Sequence, residues 1–362
     1  MGIGYPTPII FTIFYANLLI SSYFFDFWFY GKLCLSIFNK EIFENVNKHH
    51  QTISNIMVKN MKYLAIDVGG TAIKYLLTDE SAKTIEIKEI KSQTKSQYGL
   101  FDSLDKIISP NLNQIDGIAL SFPGSIDVKK GIVHIAENFG WIEDLPLKSI
   151  LEERYSKRVW IENDGKCCAL AESWGGNLSD VKNGAVMGLG TGIAGGIIIN
   201  GELYRGINGC AGEFSSMIDN LENPKNSRKL SEIAGYKSLL SRYTKSEGAN
   251  FMLNDAHEFF ENYHNGDEMA ICVLKDYAKA VSGAIITIQA ILDLEKFCIG
   301  GGISSQDALI DEISQEVHDY FINNQLRSIK EPIIEGCFFR NAAGCVGALY
   351  NFLSMERIVG DD

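Results

Sequence analysis

Several short stretches of this chain carry residue types that handle phosphate and take a proton from a hydroxyl. In Asp67-Val68-Gly69-Gly70-Thr71-Ala72-Ile73-Lys74 an apolar run ends in an acid, two glycines turn the chain, and a hydroxyl and a lysine follow. Gly69 and Gly70 permit positive φ and a close approach of backbone to ligand. The turn amides, with Thr71, can make a small anion-binding concavity, and Asp67 at the strand tip has an ion as its expected partner. An ordinary hairpin accounts for these residues when they are taken alone, and no Gly-Lys-Ser/Thr follows to make a Walker A loop. A second copy of the plan shifts that balance. Gly188-Leu189-Gly190-Thr191-Gly192 again joins two apolar runs, and Asn200-Gly201 suits the type I′ turn that closes the next hairpin. Two such hairpins predict duplicated α/β halves that clamp a polyphosphate between them.

The run Val159-Trp160-Ile161-Glu162-Asn163-Asp164 ends a predicted strand in three polar residues, and residues 165–174 continue as a helix. Asp164 therefore has two readings. It caps the helix N-terminus, or it is a general base at a strand tip that takes a proton from a substrate hydroxyl. Ser121-Phe122-Pro123-Gly124 ends another short apolar run, and ligands collect at such tips in open α/β sheets. Residues 203–214 form a glycine-rich loop ending in Glu213, and Glu232 follows a polar, irregular stretch. Gly300-Gly301-Gly302 is a third glycine-rich strand end, open enough to admit a flat adenine against the backbone.

Positioning these groups takes two packed lobes, and 362 residues exceed a comfortable single core. Residues 78–92 predict a third meander strand, 98–109 a helix, 115–122, 132–135 and 159–161 strands, and 269–292 a long amphipathic helix. Residues 342–353 predict a closing helix whose apolar face has no partner nearby in sequence. It is expected to return to the first lobe, which makes the lobes 61–175 with 341–362, and 176–340. A net charge of −12 leaves no basic stripe for nucleic acid. Eight cysteines without a CxxC, two of them adjacent at Cys167-Cys168, read as small core residues of a reducing compartment. The cytoplasm is the expected location.

Residues 1–60 differ from the rest. No charge occurs from 8 to 25, where Phe, Tyr, Ile and Leu dominate, and that length suits a transmembrane helix. No basic n-region or A-x-A-like site marks a signal peptide, and Lys32 and Lys40 would keep the following domain cytoplasmic. Met61-Lys62 directly before the first strand makes a natural start for a complete domain. The favoured expectation is that 1–60 is upstream sequence read in frame or a dispensable extension; a membrane is a partner only if it is genuinely translated.

In this order, Asp67-Val-Gly-Gly-Thr-Ala-Ile-Lys74, Ser121-Phe-Pro-Gly124, Glu162-Asn-Asp164, Gly188-Leu-Gly-Thr-Gly192, Ala211-Gly-Glu213 and Ile299-Gly-Gly-Gly302 resemble the ROK family of sugar kinases. That family belongs to the actin/hexokinase-like ATPase superfamily, and the resemblance covers about residues 62–353. It implies two actin-like (ribonuclease H-like) α/β domains with a cleft between them. The implied reaction moves the γ-phosphate of ATP to a sugar hydroxyl, usually O6, with Mg²⁺. Asp67, Gly69, Gly70, Thr71, Lys74, Gly190, Thr191 and Gly192 would then serve phosphates and metal, and Gly301 and Gly302 would flank adenosine. Asp164 would be the base, and Ser121, Pro123, Gly124, Asn138, Asn163, Glu213 and Glu232 would hold the sugar.

Departures from the family pattern bear on the substrate. Many members have a histidine where this chain has Ser216, followed by a CxCGxxGC zinc knot. Between Ser216 and Glu232 there is no Cys or His, so no zinc is expected, and Mg²⁺ would be held mostly by ATP phosphates and water. This resembles the zinc-free branch that includes bacterial β-glucoside kinases. Asn138-Phe-Gly-Trp141 instead keeps the form of glucose and aminosugar kinases, which leaves glucosides, glucose and N-acetylmannosamine open. Lys166 stands where many relatives have Asn, and Ala194 where Gly is usual. Lys166 is expected to face solvent; turned inward, it would depress the pKa of Asp164. Some members are sugar-responsive repressors with an N-terminal helix-turn-helix, but 1–60 has no basic recognition helix. A retained Asp164 argues against a catalytically dead sugar-binding module. A small-molecule sugar and a second copy of the chain, as a homodimer, are the expected partners.

Overall fold

A computed structural model describes residues 61–83, 85–137, 139–247, 256–325 and 327–361. The expectations for 1–60 and for Asn138 lie outside the described residues. Two five-stranded sheets repeat one plan. In the first, β1 (Lys62–Val68) pairs antiparallel with β2 (Ala72–Asp79), which carries β3 (Lys88–Lys91) at its edge. On its other side β1 runs parallel to β4 (Gly117–Phe122), and β4 to β8 (Arg158–Asn163). In the second, β9 (Gly184–Leu189) pairs with β10 (Ile193–Ile199) and then β11 (Glu202–Leu203) on the antiparallel side. β12 (Lys296–Gly300) and β13 (Ile333–Gly336) continue in parallel on the other. A short sheet of β5 (Ser125–Asp127), β6 (Ile132–Ile135) and β7 (Glu143–Leu145) follows the first lobe's β4.

Parallel strands are covered on both faces, so they read as unbroken apolar runs rather than alternations. β4 and β12 are buried at every residue. The first core joins Leu64, Ile66, Ile118 and Leu120 of the sheet to Leu100 and Leu104 of α1 (Gln97–Ile108), α2 (Leu147–Tyr155) and the final helix. The second joins Met187, Leu189 and Phe297 to Tyr277, Val281 and Ile285 of a helix at 268–292, and to Ile313. These are separate clusters; a third, smaller one joins Val186, Ile198 and Cys298 of the second sheet to Ala169 and Leu178. No helix among the described residues is long and apolar enough to cross a membrane.

In chain order the remaining helices are α3 (Asp164–Gly175), α4 (Leu230–Ala234), α5 (Tyr236–Glu247), α6 (Ala256–His264), α7 (Glu268–Leu292), α8 (Asp307–Asn323) and α9 (Ala343–Asp361). α9 does pack on the first sheet. The Phe352 ring fills the space that a Cβ on Gly117 would occupy, at 2.3 Å. The helix runs past the predicted end at 353 because Met355 is still buried in the same core.

Two local expectations need correction. The third strand is only Lys88–Lys91, since the charged residues before it turn away from β2. Gly69 and Gly70 do not adopt positive φ; Gly69 is needed because a Cβ there would lie 2.7 Å from the Ala72 carbonyl oxygen. Asn200 and Gly201 both have positive φ, as a type I′ turn requires.

The chain passes between the sheets twice, at 176–183 and at 337–342, and one side chain joins both passages. Glu172, fully buried on α3, accepts hydrogen bonds from the backbone N–H of Asn177 (2.9 Å), Phe338 (3.1 Å) and Phe339 (3.0 Å). The Asn177 amide adds a bond to the Gly336 carbonyl at 2.8 Å.

Candidate active site

Parallel pairing of β1, β4 and β8 lines up their C-terminal tips, so Asp67 lies beside Ser121, and Ser121 beside Glu162. Ser121 is completely buried and donates its hydroxyl to Asp67 Oδ1 at 2.6 Å. The Ser121 hydroxyl is thus engaged by the Asp67 carboxylate. Burial pushes the Asp67 carboxyl up from its ordinary range, while the Ser121 bond and the charge of Lys74 oppose that. The start of α9 sits on the same carboxylate: a Cβ on Gly344 would lie 2.4 Å from Asp67 Cγ. A helix N-terminus there favours negative charge. Lys74, across the ladder from Asp67, reaches Asn341 Oδ1 at 3.3 Å. Gly70 and Thr71 form the exposed tip of the turn.

At the tip of β8 the cap is Asn163, whose Oδ1 accepts from Lys166 N at 3.1 Å. The cap reading of Asp164 is thus overturned, because Asp164 is already the first helical residue. Asn163 Nδ2 donates to Gly124 O and Asp164 Oδ1, both at 3.0 Å. Asn163 thus ties the Asp164 carboxylate to the Pro123-Gly124 turn. Gly124 has φ +105°, and a Cβ would lie 2.1 Å from Ile135 O, so only glycine fits. Asp164 Oδ1 also accepts from Gly165 N at 2.8 Å. Burial first, then the charge of Asp67, pushes the Asp164 carboxyl up from 3.8 to about 6, with Glu213 adding to the rise and Lys166 opposing it.

Lys166 does not face solvent. Its side chain is 1% exposed, and its Nζ stands 3.4 Å from Glu213 Oε1. Helical geometry explains the difference: Lys166 is the third residue of a helix that packs closely on β10, where a Cβ on Gly196 would meet Ala169 Cβ at 2.5 Å and Gly165 O at 3.0 Å. Glu162 is buried and bonded to Arg205 Nε at 2.7 Å, and Arg205 reaches Asn351 at 3.1 Å.

The second hairpin is held by Ser215, whose Oγ accepts from Ile193 N at 2.8 Å and donates to Ile193 O at 3.1 Å. Gly190 and Gly192 are half-buried and Thr191 is exposed at the tip. The start of α5 abuts this turn, since Tyr236 N donates to Gly190 O at 2.9 Å. Glu232 is exposed on α4, and among the described residues no contact ties its carboxylate to Glu213 or Asp164. Gly301 has φ +94°, and a Cβ would meet Leu189 O at 2.3 Å; Gly302 is open. Beside them lies a cavity of about 620 Å³ lined by Asn177, Ser304, Asp307, Asp311, Phe338 and Arg340 among others. The structure thus gathers Asp67, Ser121, Gly124, Asn163, Asp164 and Glu213 into one acidic site. The described residues hold no group of three or more His, Cys, Asp or Glu placed to bind a metal ion.

The model of the ROK family matches residues 63–354. This chain belongs to the ROK family. A β-glucoside kinase of Listeria monocytogenes is 29% identical over 301 residues, 82% of this chain and 99% of that protein. A glucokinase of Halalkalibacterium halodurans is 30% identical over 315 residues, covering 79% and 93%. A ROK family protein from Streptococcus pneumoniae, solved in complex with sucrose, superposes with a TM-score of 0.72 at 26% identity over 82% of this chain and all of that one. In this ROK chain the polar residues that sequence reasoning missed are Glu172, Ser215 and Arg205. Of these, Glu172 left a sequence signal, as an acid within the apolar run Ala169-Leu170-Ala171 and Trp174.

Proposed function

We propose that this chain is an ATP-dependent sugar kinase that phosphorylates O6 of a glucoside, glucose or a related hexose, with Asp164 as general base. The observation that carries the reading is the half-buried Asp164, held at the β8 tip by Asn163 and Gly165 with its carboxyl pushed up to about 6. A carboxylate with that affinity takes a proton well and is still mostly ionised at neutral pH. Phosphoryl transfer asks the protein mainly for position and charge placement. The sugar O–H proton passes to the Asp164 carboxylate, the sugar oxygen bonds to the γ-phosphorus, and the bond from that phosphorus to the β-phosphate oxygen breaks, releasing ADP.

Asp67 fits the metal-bearing end: it is a buried carboxylate whose Oδ1 is fixed by Ser121, at the base of a glycine turn. It would share Mg²⁺ with ATP phosphates, and that ion supplies charge neutralisation when bound. The turns at Gly69-Gly70-Thr71 and Gly190-Thr191-Gly192 are assigned to the phosphates, and the cavity beside Gly301 and Gly302 to adenosine. Glu213, Glu232 and the Pro123-Gly124 turn are assigned to the sugar. Lobes of 61–175 with 341–362, and 176–340, follow the two separate cores. A β-glucoside is favoured by the relatives of that name, a homodimer and a cytoplasmic location complete the reading, and no nucleic acid is expected.

Purified protein should consume ATP with at least one of a β-glucoside, glucose and N-acetylmannosamine, and phosphorus NMR should place the phosphate on C6. ATP use no faster than the sugar-free control with every sugar would overturn the kinase reading. Zinc should be absent from stoichiometric elemental analysis and a chelator should leave folding intact, because residues 216–232 offer no thiol or imidazole. One tightly held equivalent would refute that.

A further inference from the structure

The N-terminus of α3 sits on the second sheet with almost no side chain between them. A Cβ on Gly165 would lie 2.5 Å from Gly195 N, and one on Gly195 would lie 2.3 Å from Gly212 O. Backbone therefore packs on backbone across α3, β10 and the loop that ends in Glu213. Lys166 extends through this contact, 1% exposed, to within 3.4 Å of Glu213 Oε1, whose side chain is 42% exposed. One end of the Glu213 carboxylate is thus held from inside while the rest is open to solvent. Asp67 from β1 and Asp164 from α3 stand near enough for their charges to act on one another, and Glu213 adds to them. Removing an ammonium from water costs several kcal/mol unless nearby negative charge offsets it, so its burial among these carboxylates ties it to the site.

We infer that Lys166 is a positioning residue for the sugar: its buried ammonium fixes the Glu213 carboxylate in the orientation that meets sugar hydroxyls. It also supplies the countercharge that lets Asp67, Asp164 and Glu213 share one half-buried site. This rests on the kinase reading and on Glu213 facing the sugar.

Lys166→Met, Glu213→Gln and the double variant form a cycle, measured by steady-state kinetics on a sugar that the unmodified chain phosphorylates. Lys166→Met should raise the sugar KM about 10–100-fold, the range of coupling between contacting charged groups, and leave the ATP KM within about twofold. The double variant, in which both members of the Lys166–Glu213 pair are removed, should match Glu213→Gln in sugar KM. Should Lys166→Met fail to fold, the double variant against Glu213→Gln gives the same test. An unchanged sugar KM, an equal rise in both KM values, or effects that multiply in the double variant would overturn the inference. A chain that phosphorylates no sugar overturns the kinase reading with it, whereas an active chain with an unaltered Lys166→Met sugar KM overturns this inference alone.

Discussion

Asp164→Asn should lose turnover by about 10²–10⁴-fold, the usual contribution of a placed general base, and should melt at a higher temperature than the unmodified chain. The two effects have one cause. Burial and the charge of Asp67 raise the folded-state pKa of Asp164 from 3.8 to about 6. The folded chain therefore binds that proton more tightly than the unfolded chain does. Stability from this group is fully present below 3.8 and is lost as pH rises through about 6, so at pH 7 the ionised carboxylate is a net cost. At about 1.36 kcal/mol per unit the full shift would be worth about 3 kcal/mol; partial solvent access reduces that to about 1–2 kcal/mol. Asparagine carries no charge, accepts from Gly165 N and Asn163 Nδ2 as the acid does, and leaves the Asn163 cap in place. Turnover of the unmodified chain should also fall about tenfold per pH unit below about 6, as the base is protonated. Near-normal turnover in Asp164→Asn removes the residue from the mechanism, and a lower melting temperature refutes the electrostatic account.

Glu172→Gln should be among the most destabilising single changes in the described residues, although Glu172 itself does not line the cavity assigned to adenosine. Glu172 accepts from Phe339 N on one oxygen and from Asn177 N and Phe338 N on the other. A glutamine can turn its oxygen to one side only, leaving its own N–H₂ facing a buried N–H on the other. Each orphaned buried donor costs about 1–3 kcal/mol, and the charge-assisted bonds are lost as well. A loss of about 3 kcal/mol, or about 6–12 °C in Tm, is expected. Below the transition, KM for sugar and ATP should rise together, because the carboxylate holds both passages between the lobes. A Tm within 1 °C of the unmodified chain would show the carboxylate to be replaceable.

How much of this was readable from residue types depends on whether a group acts directly or through another. The strands ending in Asp67 and Asp164, both glycine–threonine hairpins and the returning helix follow from apolar runs and glycine turns, which are local signals. The Ser121–Asp67 bond and the burial of Lys166 were not legible for the opposite reason. The first depends on the register of β1 against β4, and the second on how α3 packs against β10 and the loop that ends in Glu213. Asp164 and Asn163 were confused as caps because helix ends shift by a residue and only the bond to Lys166 N decides between them. Gly69 is required by crowding against Ala72 O rather than by backbone freedom, and neither reason applies at Gly70.

The return of α9 also orders events in time. β1, β2 and β4 leave the ribosome early, yet Val346, Leu349 and Phe352, which cover them, are made some 220 residues later. At about 5–20 residues per second, that face of the first sheet waits on the order of tens of seconds for its cover. The second sheet closes with β13 before α9 is made, so the later half of the nascent chain can fold first. During that interval the exposed strands offer a binding surface to a chaperone, and a chain arrested before residue 343 should keep the second sheet resistant to protease while the first is cut.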